Sequence, residues 1–182
     1  MNDNKTKKYS KEDAYKVLEL TNSWIGNVDT KTSLGLAFVV GLLALIFYNT
    51  ETIPLAFQNL FIAINDNNLC CIVLISAVLV LLLYFSCLIS IIMFFLSIRG
   101  RLISSSPNKS MLFFGSISTL SFNDFKSNTL NMTDKAITKD ILEQIHISSR
   151  ICTRKFKFYN YGLWSLLISV ILFFICMSFN LI

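Results

Sequence analysis

The sequence predicts an all-α membrane protein with three transmembrane helices, and two patterns indicate this fold class. First, no charged residue occurs in three long stretches, residues 32–50, 67–98 and 158–182. A membrane helix needs about 20 mainly apolar residues to cross a hydrocarbon core about 30 Å thick, so each stretch is long enough. Second, six of the 16 Lys and Arg residues precede the first stretch, and the other ten lie between the second and the third. Because loops rich in Lys and Arg remain in the cytoplasm, we expect a cytoplasmic N-terminus and an external C-terminus.

The composition argues against several other classes of protein. Hydrophobic residues make up 54% of the chain and the mean hydropathy is +0.60, which does not suit a soluble domain of this length. A net charge of +5 could indicate nucleic-acid binding, but the basic residues sit where membrane topology requires them, so no nucleic-acid partner is expected. Five acidic residues precede the first apolar stretch, which argues against a removable signal peptide.

Residues 1–31 are expected to form a cytoplasmic tail followed by an amphipathic helix. Ser10 and Asp13 have the spacing of a capping box. In this motif, at the start of a helix, the side chain of each residue accepts a hydrogen bond from the backbone N–H of the other. Apolar residues then recur at three- and four-residue spacing, which predicts one apolar face with Thr21 filling the gap. These residues are Ala14, Val17, Leu18, Ile25 and Val28.

The first span is predicted at 32–48, an external loop at 49–68 and the second span at 69–98. Small residues allow membrane helices to approach closely, and the first span has four on one face: Ser33, Ala37, Gly41 and Ala44. The second span has a polar side, formed by Ser76, Ser86, Cys87, Ser90 and Ser97. Its hydroxyls either bond across helices or line a wet path, and the sequence leaves both interpretations open.

A cytoplasmic segment is predicted at 99–157 and the third span at 158–182. Residues 111–125 are too apolar for a solvated linker and are expected to pack on other helices or on the membrane. From about Thr133 a helix is predicted to run on into the third span. One face of it holds Ile137, Ile141, Ile145, Ser148 and Cys152, and its membrane part has a stripe of Gly162, Ser165, Ser169 and Cys176.

No motif for catalysis or metal binding is present. The five cysteines form no CxxC pair and the chain has a single histidine, so a metal site is not expected. There is no Gly-rich phosphate loop and no Ser-His-Asp set, which argues against an enzyme. Ion-coupled carriers usually place ionisable groups inside the membrane, and none of the three stretches contains an Asp, Glu, Lys, Arg or His.

Three stretches of the chain resemble one known family. Asn22–Thr32 contains a Trp-Ile pair followed by Asp-x-Lys just before the first span. Phe113–Ile117 reads Phe-Phe-Gly-Ser-Ile, and a later helix holds Asp140, Gln144 and Lys155. Together they resemble the Pycsar transmembrane effector family of bacterial anti-phage membrane effectors that respond to cyclic nucleotides.

The resemblance implies a role in abortive anti-phage defence at the bacterial inner (plasma) membrane. A partner nucleotide cyclase would make a cyclic mononucleotide, and no other small-molecule ligand or cofactor is implied. The effector would respond to this nucleotide as a homo-oligomer in the lipid bilayer and would impair membrane integrity. Five residues of the quoted motifs are also candidates for gating. They are Trp24, Ile25, Asp29, Lys31 and Gly115.

A cyclic nucleotide needs Arg or Lys for its phosphate and aromatic rings for its base. The candidates chosen from residues of these types in the cytoplasmic segment are Arg99, Arg101, Lys109, Phe113 and Phe114. Basic residues next to a membrane also serve topology alone. Binding only in an assembled oligomer, or by a separate protein, stays open.

Asp29 has two interpretations. It either belongs to a simple junction between helix and membrane, with Lys31 reaching to lipid headgroups, or pairs with a basic residue such as Arg99 or Arg101 and holds a closed state. Two functions from other classes also remain open: a constitutive small channel or transporter subunit, and a non-enzymatic scaffold that anchors a cytoplasmic partner.

Overall fold

A computed structural model of the chain describes residues 9–48, 58, 61–62, 71–99 and 110–179. In these residues the regular structure is helical and no strand is present. The helices are α1 (Lys11–Tyr48), α2 (Cys71–Ile98), α3 (Phe114–Ile117), α4 (Phe122–Leu130) and α5 (Asp134–Ser178). α1, α2 and α5 are each long and apolar enough to cross a membrane, which confirms the predicted all-α class with three candidate spans.

The chain folds into two compact units, and both α1 and α5 contribute to each. The polar unit is formed by Met1–Val28 and Arg99–Arg154. The apolar unit is formed by Asp29–Ile98 and Lys155–Ile182. We use these two names below.

In the polar unit, α1 begins with the predicted capping box. The Asp13 N–H donates to Ser10 Oγ over 3.1 Å, and the Ser10 N–H donates to Asp13 Oδ2 over 3.1 Å. Ala14 and Val28 on the predicted apolar face are fully buried. Val17 is exposed, contrary to expectation, because it lies at the edge of this face and not at its centre.

The segment that leads into α5 contains the two short helices. Ser121 caps α4, because its Oγ accepts the Asp124 N–H over 3.2 Å. Within the apolar stretch predicted to be covered, Ser116 is buried whereas Phe114 and Phe122 are exposed. Contacts made within the chain therefore cover only part of this stretch.

In the apolar unit, α1 and α2 pack in antiparallel directions. Thr32 Oγ1 lies 3.2 Å from Ser97 Oγ, and towards the other end of the pair the rings of Phe47 and Tyr84 lie 5.8 Å apart between centroids. Residues later in α1 therefore contact residues earlier in α2, as antiparallel helices do. The buried core of this unit consists of Val39, Leu42, Ile46, Leu83, Cys87, Phe94, Leu166 and Cys176.

The small-residue face predicted to bring α1 close to its neighbours is exposed instead. Ser33, Ala37, Gly41 and Ala44 are all exposed. α1 packs through the face that carries Thr32, Gly35 and Val39, because Gly35 makes room for the ring of Phe94. Two small-residue faces on one helix look alike in sequence, and only packing chooses between them.

The remaining sequence predictions fall partly on described residues. The helix predicted from about Thr133 into the third span is observed as α5. Most of the external loop predicted at 49–68 lies outside the described residues. Two apolar residues of this loop, Phe61 and Ile62, are described and exposed. Neither Arg101 nor Lys109 is among the described residues.

Candidate functional site

A charge pair joins α1 to α5 at the start of the apolar unit. Lys155 Nζ donates to Asp29 Oδ1, and the two form a salt bridge. The Lys155 side chain is only 10% exposed, whereas that of Asp29 is 38% exposed. A buried ammonium needs a counter-charge, because removing it from water costs several kcal/mol as an order of magnitude. Asp29 therefore supplies the charge that allows Lys155 to be buried here.

Two hydroxyls of the same region tie α2 to this pair. Ser97 Oγ donates to the Lys155 carbonyl oxygen over 3.0 Å, and Thr32 Oγ1 lies 3.2 Å from Ser97 Oγ. Thr32 and Ser97 are both fully buried. Asp29, Thr32, Ser97 and Lys155 thus form one cluster, the polar junction, to which all three long helices contribute.

Further along, serines line the contact between α2 and α5. Ser90 Oγ donates to the Gly162 carbonyl over 2.9 Å, and Ser165 Oγ donates to the Ser86 carbonyl over 2.8 Å. The hydroxyls of Ser169 and Ser86 lie 2.8 Å apart. We call these contacts the serine seam. They show that serines of the second and third candidate spans bond across helices, which is the packing interpretation of the polar side.

Between the polar junction and the serine seam, a phenylalanine fills the space between α1 and α5. Phe94 is fully buried, and a Cβ added to Gly35 or to Gly162 would lie 2.7 Å from its ring. Its centroid is 6.2 Å from that of Tyr159. Because both glycines contact one ring, the three helices interlock here, and neither glycine can acquire a side chain without moving the ring.

The motif residues occupy different environments. Asp29 lies in the polar junction, and its basic partner is Lys155 in place of the Arg99 or Arg101 that the sequence suggested. Trp24 and Lys31 are exposed and Ile25 is half-buried. Gly115 lies within α3, in the polar unit. Four basic residues lie close together on α5, and packing decides that Lys155 is the one that pairs with Asp29. In the sequence, only the resemblance to the family had singled out Lys155.

The nucleotide-binding candidates chosen by composition are only partly described. Arg99 follows the last residue of α2 and is exposed. The rings of Phe113 and Phe114 lie 4.8 Å apart at 50°, with Phe114 largely exposed. These facts place an aromatic pair in the polar unit and leave a phosphate site at Arg99 as a prediction.

A second ion pair between α1 and α5 lies in the polar unit. Lys11 Nζ and Asp134 Oδ1 are 3.0 Å apart, and the side chains are 33% and 88% exposed. The hydrogen bond to Asp134 raises the pKa of Lys11 above its usual value. Exposed pairs of this kind add little to stability because water screens both charges.

The described residues offer little to bind a metal. Among them, no group of three or more His, Cys, Asp or Glu is close enough together to hold an ion. The polar junction can hold the three long helices together through its ion pair and hydrogen bonds. It can release them when Asp29 and Lys155 separate.

Comparison with known proteins gives two matches. The family model described as the Pycsar effector protein domain matches residues 13–182. The chain is 33% identical to the Pycsar effector protein GmPycTM of Gulbenkiania mobilis over 183 residues, which covers 91% of this chain and 90% of that protein. No solved structure matches significantly.

Proposed function

Since this chain belongs to the Pycsar effector family, we propose that it is an anti-phage membrane effector that impairs the inner membrane on a cyclic-nucleotide signal. It acts as a homo-oligomer in the lipid bilayer, carries out no catalytic step, and receives the nucleotide from a partner cyclase. In the membrane its N-terminus faces the cytoplasm and its C-terminus faces outside.

The observation that carries this proposal is the polar junction. A buried charge is costly unless a counter-charge pairs with it, so a buried ion pair is a candidate functional site. Here the charge of Lys155 is buried in the apolar unit, and its partner stands on another candidate span. Such a pair favours one packed arrangement of the helices strongly and no other, which suits a protein that must stay harmless until signalled.

Activation is a shift between two arrangements of the helices. In the closed arrangement the polar junction is paired and the Phe94 ring sits against Gly35 and Gly162. A ligand shifts the balance only by binding the open arrangement more tightly. Moving it from 1:99 to 99:1 requires about 10⁴-fold tighter binding, or about 5.5 kcal/mol. The closed arrangement itself needs only half of that free energy to be favoured 99:1, and several weak contacts, such as those of the serine seam, can together supply it.

Dye release from liposomes tests the proposal. The purified full chain is placed in dye-loaded liposomes of bacterial lipid and exposed in turn to the cyclic mononucleotides of cytidine, uridine, adenosine and guanosine. We expect release with at least one nucleotide and none without. Release in the absence of any nucleotide would support a constitutive channel, and no release under any condition would support a scaffold. Either outcome would overturn the proposal.

A further inference from the structure

Gln144, on the part of α5 within the polar unit, carries a buried amide group that lacks a hydrogen bond. The residue is 7% exposed, and among the residues that the structure describes its Nε2 has no partner. Buried polar groups are nearly always paired, because an unpaired donor loses its bonds to water and gains nothing. A donor kept in this position therefore points to a group that binds there.

The surroundings of Gln144 are built for polar contacts. Asp140 lies one turn earlier on the same face of α5 and is 9% exposed. Its Oδ2 accepts the Met111 N–H over 2.9 Å, which ties the segment before α3 to α5. Next to Met111, the buried Ser110 accepts the N–H groups of Leu112 and Phe113 over 3.1 and 3.2 Å. The backbone that leads to Phe113 is therefore held by the hydrogen bond from Met111 to Asp140 and by the bonds from Leu112 and Phe113 to Ser110.

We propose that Gln144 and Asp140 form the site that reads the base of the activating cyclic nucleotide, with Phe113 as the ring against which the base stacks. This inference rests on the proposed function and names the residues through which the signal enters. It moves recognition of the base away from the basic residues near the membrane.

The chemistry of the site suits a base better than a phosphate. Every nucleobase presents an acceptor on its edge, to which the Gln144 Nε2 can donate, and carboxylates accept from base amino groups. A carboxylate repels a phosphate, so Asp140 favours an approach with the base inward and the phosphate outward. Stacking on an aromatic ring adds affinity for any base, since each has a π-face.

Nucleotide binding and thermal unfolding of the full chain in lipid nanodiscs test this site. Gln144→Leu keeps the side-chain volume and removes the donor. Because it also removes an unpaired buried amide, we expect it to raise the Tm of the nucleotide-free protein by about 2–4 °C. We expect the same variant to weaken binding of the activating nucleotide about tenfold, as loss of one buried hydrogen bond to a ligand does.

Two further variants separate recognition from general effects on α5. Asp140→Asn keeps an oxygen to accept the Met111 N–H and should change the order of preference among the four nucleotides. His146→Leu places a leucine at an exposed position of the same helix. This control should leave both Tm and binding unchanged.

Each outcome bears on the inference. If Gln144→Leu binds the nucleotide as the unchanged protein does, the base is read elsewhere, and the proposed function stands if dye release persists. If Gln144→Leu lowers Tm, the amide has a partner within the chain and the inference is wrong. If the unchanged protein binds none of the four nucleotides, the inference and the proposed function fail together.

Discussion

At the scale of single residues, the two members of the charge pair differ in how much they depend on each other. The Lys155 side chain is 10% exposed and that of Asp29 is 38% exposed. When one partner of a pair is removed, the cost is set by the charge that is left behind. A stranded Lys155 is buried, whereas a stranded Asp29 can still reach water.

This asymmetry predicts that Asp29→Asn is more harmful than Lys155→Met. We expect Asp29→Asn to lower the free energy of unfolding by about 2–4 kcal/mol and to release dye without nucleotide. Lys155→Met should cost about 1 kcal/mol, because the remaining carboxylate is partly solvated. The double variant should recover most of the loss, since replacing both charges leaves none unpaired. Thermal unfolding in detergent and liposome leakage measure these effects.

The exposed pair of Lys11 and Asp134 provides the matched control. It also joins α1 to α5, and Lys11→Met should change neither leakage nor Tm. Equal effects of the two single variants at the polar junction, or no recovery in the double variant, would contradict a buried pair that holds the closed arrangement.

At the scale of helices, the interlocking of Phe94 with two glycines predicts which glycines tolerate a methyl group. Gly162→Ala and Gly35→Ala each place a Cβ 2.7 Å from the ring. Because the ring is fully buried, we expect each change to cost about 1–3 kcal/mol through overpacking. Thermal unfolding of the variants in detergent measures the loss.

Gly41 is the control for this experiment, because nothing lies within 4 Å of a Cβ added there. Gly41→Ala should be neutral or stabilise α1 by up to about 1 kcal/mol, since alanine favours a helix. Replacing the ring with a smaller side chain by Phe94→Leu should reduce the loss of stability caused by Gly162→Ala. If Gly41→Ala proves as harmful as Gly162→Ala, the effect belongs to glycine itself and not to the contact.

The sequence predicted the packing of helices well where one face dominated. On α2 every second-span serine singled out by spacing is wholly or partly buried, and on α5 Gly162, Ser165 and Ser169 are buried as expected. α1 has a second small-residue face, and hydropathy cannot distinguish a lipid neighbour from a protein neighbour. Contacts within the chain use the other face, and the predicted face stays a prediction for contacts between copies of the chain.

The candidate site was less predictable. One of the two interpretations of Asp29 gave it a basic partner, but Arg150, Arg154, Lys155 and Lys157 stand within eight residues of one another. Their order along the helix decides which of them faces inward, and that depends on where α1 lies. The resemblance singled out Gln144 as a residue, but neither spacing nor hydropathy could show that its amide is unpaired, because that depends on what surrounds it in the fold.

At the scale of the whole molecule, the distribution of Lys and Arg predicts how the chain lies in the membrane. In a variant whose five cysteines are replaced by alanine, a single cysteine is introduced by Asn59→Cys or by Asn108→Cys. Because basic segments stay in the cytoplasm, a thiol reagent that cannot enter cells should label position 59 and leave position 108 unlabelled in intact bacteria.

Labelling after cell lysis provides the control for this experiment. Both positions should then react, which excludes a cysteine that is simply inaccessible. Labelling of position 108 but not 59 in intact cells would reverse the orientation. The polar unit, and with it the proposed base-reading site, would then face away from the cytoplasm and from any nucleotide made there.

Gly35 and Gly162 also limit how the helices can move away from the closed arrangement. A rotation of α1 about its axis by one residue position brings Leu34 or Leu36 towards the Phe94 ring, and the same rotation of α5 brings Tyr161 or Leu163. Partial displacement is therefore blocked, since tightly packed interfaces have discrete arrangements and few intermediate ones. Current through a planar bilayer that contains few molecules should accordingly rise in equal jumps, with nucleotide concentration changing how often they occur and not how large they are.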